Sequence, residues 1–230
     1  MQSLDMLANN LANASTNGYK LDREFYSTYI APEIGDESES SSGAMPVIQK
    51  PWTDFSQGTL QNTGHPLDMA ISGSGFFGLN GPSGPIYTRN GSFKLSNTGT
   101  LTSAEGYPVR LAGGGSVQVS PSAPLEIDTT GELRQNGKSL GRLELTDFQD
   151  TGELTKASGT SFKASAKAGA TTATSAQVHQ NTVEQSNVTV SEAAVRLVTL
   201  MRHYESLQKA INVATQMNQQ SVTEIARVTS

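Results

Sequence analysis

Paired carboxylates, histidines and glycine-rich strings are where this chain would do chemistry if it did any. Glu126 and Asp128 stand two apart on a strand-like run, so they share a face. Two carboxylates do acid–base work when their surroundings split their pKa values; on the outer face of a strand the same pair is ordinary solvated surface, and that reading is preferred. The 3 histidines, His65, His179 and His203, are far apart, and none stands in a His-x-x-x-His zinc pattern. Gly73-Ser-Gly-Phe-Phe-Gly78 matches the string of a dinucleotide-binding turn. A pyrophosphate there needs a helix N-terminus directly after the glycines, whereas this chain runs into Leu79-Asn-Gly-Pro82, a turn. Those glycines read as turn and bulge residues. There is no Gly-x-Ser-x-Gly elbow. Cysteine is absent, which removes thiol nucleophiles, disulfides and thiolate metal sites. The run Glu33, Asp36, Glu37, Glu39 lacks calcium-loop spacing. Asn13-Ala-Ser15, Asn90-Gly-Ser92 and Asn187-Val-Thr189 are glycosylation strings, and turn or cap chemistry explains two of them. The expectation is a chain with no catalytic, cofactor-binding or metal-binding residues.

Charge and hydropathy exclude further classes. A net charge of −5 with 16 Lys and Arg in 230 residues provides no basic footprint for nucleic acid. No stretch is apolar enough and long enough to span a bilayer. Met1–Asn10 lacks the basic and apolar regions of a secretory signal peptide, so export would use a route that leaves the N-terminus uncleaved.

With no chemistry to position, the elements themselves become the informative part. Leu4, Leu7, Leu11 and Ala14 follow helical spacing, with Asn9, Asn10 and Asn13 on the polar face, Ser3 as a weak cap and Asn17-Gly18 as the stop. So short a helix is marginal in water and needs something to dock on. At the other end Val190, Ala194, Leu197, Met201, Tyr204, Ile211, Val222 and Ile225 form a stripe, interrupted by Gln208, Thr215 and Asn218. Ser191 is the candidate N-cap. No Pro or Gly breaks residues 188–227, and a helix over 190–227 would run roughly 57 Å, far more than a compact domain of this size needs.

Between these ends the pattern has period two. Alternation at 67–71, 86–89 and 142–148, with turn signals every 8–12 residues, predicts an antiparallel β body; sandwich, barrel and irregular meander remain open. Asn90-Gly91 is read as the strongest hairpin signal. Gly35–Gly43 is acidic and Ser-rich and reads as a solvated, mobile linker; Ala164–Gln177, made mostly of Ala, Ser, Thr and Gly, reads as a second linker. The predicted organisation is a helical segment over 1–30, a connection over 31–63, a β body over 64–165, a linker over 166–185 and a long helix within 186–230.

Several strings, in order, resemble one family. Leu7-Ala-Asn-Asn-Leu-Ala-Asn13 with Thr16-Asn-Gly-Tyr-Lys20 is similar to the N-terminal signature of bacterial flagellar rod and hook proteins. Phe55-Ser-Gln-Gly-Thr-Leu-Gln-Asn-Thr-Gly64, Pro66-Leu-Asp68, Gly73-Ser-Gly-Phe-Phe77, Tyr87-Thr-Arg-Asn-Gly-Ser-Phe93 and Gly106-Tyr-Pro-Val109 resemble its next blocks. Glu184-Gln-Ser-Asn-Val188 and the stripe through Arg202, Tyr204 and Glu205 resemble its C-terminal block. Members have further helical residues before the position of Met1. The resemblance implies a structural, non-enzymatic axial subunit of the flagellar basal body. Its terminal helices would pair in a coiled-coil-like domain, with the mainly β, antiparallel domain outside. Its partners would be other rod subunits, in homo- and hetero-oligomeric helical assembly, and the flagellar type III export apparatus; it would take no cofactor, bind no nucleic acid and insert in no membrane. The shortness of the chain points to a proximal-rod member, with a distal-rod or hook-type subunit as the alternative and an extracellular β-rich binding module as the remote one. The interface expected on these grounds comprises Leu4, Leu7, Leu11, Asn10 and Asn13 with Leu197, Met201, Tyr204, Ile211, Val222 and Ile225.

Overall fold

The structure, a computed structural model, describes residues 2–24, 26–30, 44–48 and 52–228. The acidic segment around residues 31–43 lies outside the described residues. The chain divides into two units, residues 12–188 and a unit made of residues 1–11 with 189–230.

The larger unit is an antiparallel β body. Its central sheet has six strands, in the order Leu154–Ser158, Ser161–Ala164, Gly84–Thr88, Phe76–Gly81, Leu145–Phe148 and Ala170–Thr172. A second sheet joins Leu125–Ile127, Glu132–Gln135 and Lys138–Arg142, and two-stranded ribbons surround both. Neighbouring side chains on a strand face opposite ways, and the pair Phe76 and Phe77 uses this. Phe77 enters the main core with Met69, Ile71, Leu79, Leu101, Leu133 and Leu143. Phe76 enters a second, aromatic core with Tyr87, Phe148 and Phe162. There Phe55 meets Phe76 edge-on at 5.4 Å between centroids and Phe162 at 5.0 Å, and Tyr87 meets Phe148 at 4.8 Å. Both faces of the sheet are thus covered, and the sheet joins strands far apart in the chain rather than following chain order.

Two expectations about the body are corrected. Asn90-Gly91 makes no hairpin. Gly91 instead lies against the neighbouring backbone: its carbonyl accepts from Met69 N at 2.9 Å, and a Cβ there would stand 1.6 Å from Met69 O. The Asn-Gly hairpin is at Asn136-Gly137, where φ of 52° and 75° in a Gln135–Lys138 loop matches the type I′ turn that suits strand twist, and two-residue loops also join Gly81 to Gly84 and Ser158 to Ser161. Residues 166–185 are strand-rich rather than linker. Ala170–Thr172 pairs with Leu145–Phe148, Gln177–Gln180 with Met69–Ser72, and Thr182–Glu184 with Leu60–Asn62. Space is short at one of these small residues, Ala173: a Cβ on Gly75 would lie 2.9 Å from that of Ala173.

The smaller unit holds the helices α1, Gln2–Ala12, and α2, Val190–Val228. α1 ends before Ala14 and before Asn17-Gly18, so that pair is not its stop; Gly18, at φ 68°, packs where a Cβ would meet Asn90 N at 2.2 Å. Ser3 and Ser191 fall inside first turns. Thr189 holds the cap position of α2, its carbonyl accepting from Ala193 N at 2.9 Å.

Candidate assembly surface

The residues singled out for chemistry are dispersed. Asp128 closes a turn, its Oδ1 accepting from Thr130 N at 2.8 Å, Thr130 Oγ1 at 2.7 Å and Glu132 N at 3.0 Å, and these bonds hold its carboxyl below the usual range. Glu126 faces Arg134 across the ladder and shares no site with it. Gly73 and Gly75, with φ of 95° and 133°, lead into a strand, not a helix. Among the described residues no group of three His, Asp or Glu side chains is placed to hold a metal ion.

Of the expected interface, Leu4, Leu7 and Leu11 are half-buried on α1, Asn10 is buried and Asn13 half-buried just beyond it. Leu197 is half-buried on α2. Met201, Tyr204 and Ile211 are exposed by 50%, 49% and 64%. The α2 backbone runs through Val222 and Ile225, whose side chains lie outside the described residues. Exposed apolar residues also stand off this seam. At about 100° per residue, Val195, Val213 and Met217 project roughly 160–200° round the helix from Leu197. α2 therefore offers apolar surface on two faces, against a chain average that needs no such excess.

Sequence reasoning missed a second feature, although its residues lie inside the quoted family strings. Lys20, Arg89 and Glu184, from three distant stretches, meet in the body and are buried. Lys20 Nζ stands 2.6 Å from Glu184 Oε1 and donates to Ser56 O at 2.6 Å. Arg89 Nη1 stands 3.3 Å from Glu184 Oε2, and its Nη2 donates to Gly73 O at 2.8 Å. Its guanidinium lies 5.2 Å over the Phe76 ring. Gly58 N completes the carboxylate's shell at 2.9 Å. Burial pulls the Lys20 ammonium below its ordinary value against the opposing pull of Glu184, and burial lowers Arg89 in the same way. Backbone contacts lie alongside. Gly18 N donates to Glu184 O at 2.7 Å, Leu21 N to Asn187 Oδ1 at 2.8 Å, and Asn187 Nδ2 to Asp54 O at 2.8 Å. The segments before residue 24 and after residue 182 therefore run side by side in the body. The signal available in sequence was the unlike charge of three residues in motifs otherwise rich in Gly, Asn and Ser.

Three family models match in chain order. Residues 2–20 match "Flagella basal body rod protein", 70–135 match "Flagellar hook protein FlgE/F/G D1 domain" and 179–224 match "Flagellar basal body rod FlgEFG protein C-terminal". The flagellar basal-body rod protein FlgF of Mesorhizobium japonicum is 34% identical over 88% of this chain and 83% of its own length. The chain belongs to the flagellar basal-body rod protein family. FlgF of Caulobacter vibrioides is 29% identical over 99% of this chain and 93% of that protein, and FlgG of Buchnera aphidicola is 30% identical over 94% and 92%. The matched segments of this rod protein include all three members of the buried triad, Lys20, Arg89 and Glu184. It is a structural subunit of the flagellar basal-body rod, part of the shaft that serves motility. No described helix is long and apolar enough to cross a membrane.

Proposed function

We propose that this rod protein is a FlgF-type subunit whose terminal helices pair in a coiled-coil-like manner and join the chain to copies of itself and to other rod subunits. The exposed apolar run on α2, from Val195 through Ile211 to Met217, carries the reading: such a helix leaves a large area of hydrocarbon in water until neighbours cover it. Leu4, Leu7 and Leu11, with Asn10 and Asn13, form the α1 side of the interface; Leu197, Met201, Tyr204, Ile211, Val222 and Ile225 form the α2 side. Contacts that repeat head to tail without closing give a helical shaft. The protein's task is structural rather than catalytic, and it reaches the rod through the flagellar export apparatus.

A double substitution tests this. Leu7→Asp with Leu11→Asp should abolish rod assembly and swimming, while the purified body keeps its β circular dichroism and melting temperature. Normal swimming by that strain would refute the interface. A FlgG-type distal subunit is the second reading, supported by the 30% identity to the Buchnera FlgG over nearly the whole of both chains. Complementation of separate FlgF and FlgG deletion strains distinguishes them: this chain should restore swimming only to the first.

A further inference from the structure

Four Asn-Gly pairs stand in this chain, at residues 17–18, 80–81, 90–91 and 136–137. In such a pair the glycine backbone nitrogen can attack the asparagine Cγ. A C–N bond forms, the nitrogen gives up its proton and ammonia leaves, so the product is a five-membered succinimide. Water then opens the ring at either carbonyl to give aspartate or isoaspartate, and nothing is oxidised or reduced. Glycine favours the step because no Cβ obstructs the attack. Two conditions remain: the glycine N–H must be free to lose its proton, and the carboxamide must be free to swing over it. We propose that, of the four pairs, the fold meets both conditions only at Asn136-Gly137, so that the tip of the Gln135–Lys138 hairpin is a self-modifying site while the other three pairs are protected.

Asn17-Gly18 and Asn90-Gly91 are blocked together. Gly18 N donates to Glu184 O at 2.7 Å and Asn17 Nδ2 to Ser92 Oγ at 3.0 Å, so both reacting groups of the first pair are held. Asn90 Oδ1 accepts from Ser92 N at 3.0 Å, which holds the second carboxamide. The two pairs also press on each other: a Cβ on Gly18 would lie 2.2 Å from Asn90 N, and Gly91 is buried against Met69 O. Ring closure in either pair therefore requires close packing to open. Asn80 and Gly81 end the strand Phe76–Gly81, opposite Pro85 and Gly84 in the ladder, and Asn80 N donates to Pro108 O at 2.8 Å. Ring closure there would disrupt the end of that ladder.

Asn136-Gly137 differs on each count. Both residues are exposed. Among the described residues nothing bonds to the Asn136 carboxamide or accepts from Gly137 N, and a Cβ built on Gly137 would meet nothing within 4 Å, so there is room over the glycine. The turn, with φ of 52° and 75°, has to open before the ring closes, and a two-residue tip closed by the pair Gln135 and Lys138 is where opening is least costly. The product is tolerated there as well: isoaspartate adds a backbone atom, which would shift the register of a strand but only lengthens a loop.

Peptide mapping by mass spectrometry tests this on the full chain, incubated at mildly alkaline pH and sampled over time. Each Asn-Gly peptide is followed for the replacement of NH2 by OH, and isoaspartate is identified by enzymatic methylation of its carboxyl. The 136–137 peptide should convert faster than the 17–18 and 90–91 peptides by roughly tenfold or more, since those two must first break buried packing and at least one hydrogen bond. In urea strong enough to unfold the body, the four rates should converge. Equal rates in the folded chain, no conversion at 136–137, or earlier conversion at any other pair would overturn the proposal. So would an unchanged spread of rates in urea, which would assign the difference to neighbouring residues and not to the fold.

Discussion

Glu184 and Glu192 stand on either side of the start of α2, and each holds a cation: Glu184 binds Lys20 and Arg89 with no exposure, and Glu192 binds Arg196 at 2.7 Å with 60% of its side chain in water. The contrast extends to the units they belong to. In the body, apolar side chains are inside and the buried charges meet other charges. On α2, many apolar side chains are outside, and the pair of Glu192 with Arg196 lies on the helix surface. A body built this way is complete alone. A helix built this way is a half-made interface, with stability that depends on what covers it. One chain therefore carries a self-sufficient part and a part that waits for neighbours.

The sharpest way to break this comparison is at Glu184. Its replacement by Gln should destabilise the body by about 3–5 kcal/mol in urea unfolding, because two cations lose their counter-charge in a dry site. The matching change Glu192→Gln should alter stability by no more than about 0.5 kcal/mol. Next in size is Gly91→Ala, which drives a methyl into Met69 O and should cost about 3 kcal/mol in the same measurement. Asn136→Ala places an alanine at φ 52° in the type I′ turn and should cost about 1 kcal/mol. On the helical side, Met201→Ser with Ile211→Ser should leave the monomer's melting temperature within about 2 °C, since both are exposed there, yet reduce swimming.

The smallest effect is with pH. Burial pushes the Asp54 carboxyl up, but hydrogen bonds from Ser56 and the Arg23 guanidinium outweigh it, so its pKa lies below the ordinary aspartate value. A depressed carboxylate contributes its stability above about pH 4 and loses it as pH falls through the lower folded value. Trp52, the single tryptophan, lies in the strand paired with Leu21–Arg23, its ring 6.0 Å from the Arg23 guanidinium carbon. Its emission should shift over that acid window, and Asp54→Asn should remove the shift.

The helices were the most legible elements. A stripe at helical spacing, in a run free of Pro and Gly, marked α2 almost to its ends, because helix formation depends on neighbours three and four residues away. The β body was legible as a class from alternation and turn spacing. Its Asn-Gly hairpin was not placed correctly: Asn90-Gly91 and Asn136-Gly137 are the same dipeptide, and only the path of Met69 beside the first shows that its glycine answers a close approach rather than a turn. Residues 166–185 carried few large apolar side chains, so their strands were visible only in their ladders with Leu145–Phe148, Met69–Ser72 and Leu60–Asn62.

Local order, composition and the run of family strings were thus written in the chain, because each depends on residues close together along it. That Lys20, Arg89 and Glu184 form one buried cluster was not, although each could be read as part of a motif. Their sequence separations are large, the bond from Lys20 to Glu184 closing over 164 residues. No local rule sees a contact of that span; it exists because packing of the whole body brings three backbones to one point, where dry surroundings make the pairing of their charges obligatory.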